Sequence, residues 1–129
     1  MKRLLLLLGF AVLFAWSPRA HGQQLRWVWI DGTVTPPVLQ TDLAAGERPT
    51  VTRMSAGGYR LEFRRDVRFF NGDAQRGGGS GDAASMLFTS RYDTANPRVF
   101  YITTYAIGTA TPVSFTPMDS RMSIVIVRR

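Results

Sequence analysis

Between residues 25 and 127 the chain carries about eight short runs of β-branched and aromatic residues, with turn-forming residues every 8 to 15 positions and no sustained helical repeat. That pattern confines the fold to an all-β class, an antiparallel β-sandwich of jelly-roll-like kind or a small barrel. The clearest case is a hairpin. Thr50-Val51-Thr52-Arg53-Met54 leads through Ser55-Ala56-Gly57-Gly58 into Tyr59, Leu61 and Phe63, which alternate with Arg60, Glu62 and Arg64. Period two gives this second arm one apolar face and one charged face. Gly57-Gly58 is expected to supply the positive φ angles of the reversal.

The other runs are read the same way. Residues 25–30 form a strand that Asp31-Gly32 stops, and Thr33-Val34-Thr35 resumes one before Pro36-Pro37. Residues 36–49 read as loop, with one turn of helix around 41–45. Residues 67–70, 86–92, 99–107, 113–116 and 123–127 are strands. The run 99–107 is apolar on both faces and should lie centrally. Arg121 and Arg128-Arg129 flank the final run like gatekeepers of an exposed edge. Residues 71–85, rich in Gly, Asp, Ala and Ser, read as a long mobile loop.

The start of the chain reads as a cleavable export signal, residues 1–22. Lys2 and Arg3 precede an apolar run from Leu4 to Trp16 that is shorter than the roughly 20 residues a permanent span needs. Pro18 ends the run, and Ala20-His21-Gly22 places small residues where a signal peptidase needs them, so the cut is expected between Gly22 and Gln23. The protein is then periplasmic or extracellular, with no membrane span after cleavage. Residues 23–129 make one domain without a disulfide, since the chain contains no Cys. Small exported domains without disulfides rely on packing, a bound ion or self-association.

Cleavage changes the charge. Lys2, Arg3 and Arg19 leave, so 16 basic residues become 13 against 9 acids, a net charge of about +4. All 13 are Arg. His21, the single His, leaves as well. The mature chain from Gln23 onward has no His, Cys or Lys, which removes Ser-His-Asp and Cys-His catalysis, imidazole or thiolate metal sites and Schiff-base chemistry. The expectation is a protein that is not an enzyme and holds no cofactor.

The order Gly58-Tyr59-Arg60-Leu61-Glu62-Phe63, a long central strand, then Asp119-Ser120-Arg121-Met122-Ser123-Ile124-Val125 resembles the small jelly-roll heads, of C1q-like type, that cap bacterial collagen-like and tail-fibre proteins. The resemblance implies a trimer-prone, non-catalytic recognition or assembly module. The chain carries no Gly-X-Y stalk of its own.

Candidate site residues are few. Trp27 and Trp29 share one face of the first strand; large aromatics are usually core, but if exposed they would stack on sugar rings. Arg53, Arg60 and Arg64, with Arg65 and Arg68, cluster in and after the hairpin and suit an anionic ligand; Glu62 and Asp66 among them make a solvated face the default. Nucleic acid is not expected for an exported chain. Asn71, Asp73 and Asp82 are a weak calcium candidate on a loop. Glu47 and Glu62, the two Glu residues, are what a carboxylate-dependent glycan hydrolase would use. Asp31, Asp93 and Asp119 fall in turns, where Asp usually bonds its own backbone.

Overall fold

The computed structural model describes residues 24–76 and 86–128. Residues 1–22, read above as an export signal, Asp82 and the Gly-rich residues 77–85 lie outside that range. The described residues form an all-β sandwich of two antiparallel sheets, as the patterning requires. The strands are β1 (Gln24–Asp31), β2 (Val38–Thr41), β3 (Thr50–Ser55), β4 (Gly58–Glu62), β5 (Val67–Arg76), β6 (Met86–Tyr92), β7 (Val99–Ile107), β8 (Phe115–Pro117) and β9 (Ser120–Arg128). One sheet runs β2-β1-β9-β5; the other runs β3-β4-β7-β6, with β8 paired to β7. Among the described residues the one helical turn is 3-10, Ala45–Glu47, and no helix is long and apolar enough to cross a membrane.

The core lies between the sheets. Val28 and Ile30 of β1 and Met122, Ile124 and Ile126 of β9 face Tyr59 and Leu61 of β4 and Phe100 and Ile102 of β7, all buried. Phe63 joins them and meets Phe100 edge to face at 5.8 Å, the arrangement the ring quadrupoles favour. Burying each such side chain is worth about 1.5–3 kcal/mol. At Gly72 of β5 a Cβ would lie 2.6 Å from the Phe88 ring. The missing side chain lets that ring, which packs against the core, lie directly on β5.

Residues 86–92 and 99–107 fold as read, and β7 lies centrally, between β4 and β6. Elsewhere tertiary pairing overrides local sequence. Residues 33–35 are turn and bend, not strand. Val38–Thr41, read as loop, becomes β2 because β1 offers it a ladder from Val28↔Thr41 to Asp31↔Val38. Asn71–Arg76, assigned to the Gly-rich loop, continues β5 along β9. The final strand is central, between β1 and β5, so its flanking arginines guard no edge. In the hairpin Gly57 alone carries the positive φ, at 66°.

Candidate functional site

β1 sends alternate side chains to opposite faces, and the buried set is Val28 and Ile30. Trp27 and Trp29 therefore point away from the core. Trp27 is 47% exposed and Trp29 is partly buried. The expectation that both rings are core is corrected by this placement. Both faces of β1 are apolar, so composition alone leaves open which one packs. The opposite β9 settles it, because Met122, Ile124 and Ile126 form the continuous apolar face and Ser123 interrupts the other.

Register assembles the site around the two rings. Trp27 lies opposite Val125, which lies opposite Asn71. One row along, Gln40, Trp29, Ser123 and Asp73 line up across all four strands. Trp27, Trp29, Gln40, Ser123 and Val125, with Val28 and Ile124 between them, line an open groove of about 390 Å³. Leu25, Val38 and Val125 remain exposed on the same face. Asn71 and Asp73 extend it on the β5 side; each turns one side-chain oxygen to the next residue's N–H at 2.9 Å. The result is a platform with apolar aromatic surface down β1 and polar groups on either side. Sequence reasoning missed Gln40, Asn71 and Asp73 as parts of this surface because it placed their segments in loops.

Thr41 and Asp42 hold the backbone of Trp27. The Thr41 hydroxyl donates to the Trp27 carbonyl at 2.6 Å and the Trp27 N–H donates to Asp42 Oδ1 at 3.0 Å. Asp42 is also 3.5 Å from Arg26. At the far end Asp31 accepts from the Thr33 N–H at 3.0 Å and from its hydroxyl, and lies 3.3 Å from Arg121 Nε. The Thr33 hydroxyl above all, with Arg121 added, outweighs burial and holds the Asp31 carboxyl below its ordinary pKa.

The hairpin arginines do not share this surface. Arg53 turns along the sandwich and forms a two-point pair with Asp119, through Nε at 3.1 Å and its terminal nitrogen at 2.5 Å. Arg60 lies on the outer face of the other sheet and is paired to Glu62 at 2.8 Å. Arg64 is exposed in the turn after β4, where its carbonyl accepts from Arg98 at 3.4 Å. The Arg cluster expected from the sequence is thus dispersed over several surfaces.

Of the remaining candidates, Asn71 and Asp73 sit on a strand face, not a loop, and Asp82 lies outside the described residues. Among the described residues no three acids or other metal-binding side chains gather. Glu47 and Glu62 are each held by an arginine, Arg65 at 3.4 Å and Arg60. Asp93 bonds the Ala95 N–H, the turn role read for it. Asp119 departs from that role. It accepts from the Gly57 N–H at 2.8 Å and the Tyr59 hydroxyl at 2.6 Å besides Arg53. No protein-family model, curated protein or solved structure matches the chain.

Proposed function

We propose that this is an exported, non-enzymatic binding module that holds a glycan on the outer face of the β2-β1-β9-β5 sheet. One observation carries the reading: two tryptophans, two residues apart on one strand, face solvent in a groove whose other walls are amide, hydroxyl and aliphatic. A flat indole face complements the C–H face of a sugar ring, while Gln40, Ser123, Asn71 and Asp73 are placed to meet its hydroxyls. Export rests on the N-terminal pattern of residues 1–22. The non-enzymatic reading rests on the lack of His, Cys and Lys after residue 22 and on the arginine partners of both Glu residues.

The test is tryptophan fluorescence and calorimetry across a panel of soluble polysaccharides. Trp27→Ala and Trp29→Ala should each weaken binding about tenfold or more, at about 1–3 kcal/mol per stacked ring, while thermal stability changes little for the exposed Trp27. A panel that leaves the fluorescence unmoved refutes the glycan.

Leu25, Val38 and Val125 give the same face a competing use, self-association, because exposed apolar patches commonly mark protein contacts. The C1q-like resemblance implies a trimer. Sedimentation distinguishes the two uses. A trimer dissociated by Trp27→Ala would favour assembly, and a monomer at high concentration would favour the glycan.

A further inference from the structure

We infer a second binding site, for the oxyanion groups of an acidic polysaccharide, on the outer face of the opposite sheet. Its centre is Tyr101 of β7. Arg60 of β4 and Arg91 of β6 are both its register partners, one on each side. The Arg91 guanidinium lies over the Tyr101 ring, 4.7 Å from its centroid. Thr52 of β3 extends the row beyond Arg60. Four side chains therefore cross four adjacent strands, a line of about 14 Å at the usual strand spacing.

The two arginines differ in a useful way. Arg60 spends one nitrogen on Glu62 at 2.8 Å. Arg91 is exposed and has no carboxylate partner among the described residues. Its planar group is held by the ring instead, through cation–π attraction. Stacking fixes the guanidinium plane and leaves its N–H edge for a ligand, so less side-chain entropy is lost when a carboxylate or sulfate binds two-pronged. Thr103, paired with Thr89 in the ladder, adds a hydroxyl beside it, while the Thr89 hydroxyl donates to the Thr103 carbonyl at 3.2 Å. A row of hydroxyls and guanidinium groups across adjacent strands suits an extended, hydroxylated polyanion.

This site is independent of the tryptophan groove. The Arg60–Tyr101–Arg91 row and the Trp27–Trp29 groove occupy the outer faces of different sheets.

The experiment titrates the purified protein with polygalacturonate and dextran sulfate, with neutral dextran and anionic phosphatidylglycerol vesicles as the other arms, at low and high salt. The polyanions should bind, and Arg91→Gln should weaken them about tenfold, as expected for loss of a charge-assisted hydrogen-bonded contact. Arg91→Lys should recover only part, because the charge returns without the planar fork. Glu62→Gln should strengthen binding by releasing Arg60. Arg65→Gln, the same charge change at an exposed residue elsewhere, should leave it unaltered. Equal losses in Arg65→Gln and Arg91→Gln would mean diffuse charge and overturn the site. Binding to vesicles but not to either polysaccharide would overturn its assignment to a glycan.

Discussion

At Asp119, burial and hydrogen bonding pull in opposite directions. Burial raises the carboxyl's pKa, but Arg53, Tyr59 and the Gly57 N–H together hold it below the ordinary value. The same contact, after burial itself, raises the Tyr59 hydroxyl. A carboxyl whose pKa is depressed on folding stabilises the fold above its unfolded pKa of about 3.9, and that contribution is lost as pH falls through the lower folded value. Asp31 acts in the same sense. The denaturation midpoint should therefore hold steady from neutral pH to about 5 and fall steeply below about 4. Asp119→Asn should cost about 1–3 kcal/mol at neutral pH and flatten the acid limb, measured by urea titration at several pH values. A variant with an unchanged acid limb would assign the pH dependence to other groups. Little of this node was legible in the sequence. Asp119 falls within Pro117-Met118-Asp119-Ser120, which reads as a turn, and its partners lie some 60 residues earlier. The tryptophan pair was visible as a pair; its direction was not, because Val, Ile and Trp on one strand give two apolar faces.

Among the elements, the β3–β4 hairpin has the sharpest local requirement. Gly57 adopts φ 66°, and a Cβ there would run into the Thr104 carbonyl and the Met118 N–H. Its own N–H serves Asp119 and its carbonyl accepts from the Thr104 N–H at 2.8 Å. Gly57→Ala should destabilise by about 2 kcal/mol or more, through backbone strain and through displacement of the chain at Met118. Thermal melting checks this, with Gly46→Ala as a control where a Cβ meets nothing within 4 Å. The hairpin, β6 and β7 could be read from sequence because their alternation or β content is strong enough to act locally. β2 and the second half of β5 could not. Val38–Thr41 is four residues beside Pro37, and Asn71–Arg76 has the composition of a loop. Each is a strand only because a neighbouring strand presents an open ladder.

For the whole molecule, the sandwich separates two chemistries that composition mixes. One outer face carries the indole groove, and the other carries the stacked arginine row. Positive charge read from the sequence as one cluster becomes three kinds of arginine: locked to Asp119, paired at the surface, or stacked on a ring. Export, too, has its test at this scale. Expression with an intact N-terminus, followed by N-terminal sequencing of the protein recovered outside the cytoplasm, should give Gln23. Recovery of the uncut chain in the membrane fraction would make residues 1–22 an anchor instead.

The position of β9 bears on how the protein is made. β9 joins β1 to β5, and among the described residues no ladder connects those two strands without it. A ribosome produces β1 first and β9 after every other described strand. The nascent chain therefore holds half a sandwich open until synthesis reaches Ser120–Arg128, and for most of that time there is no closed core to pull apart. A polypeptide in that state is threadable, as the proposed export would require.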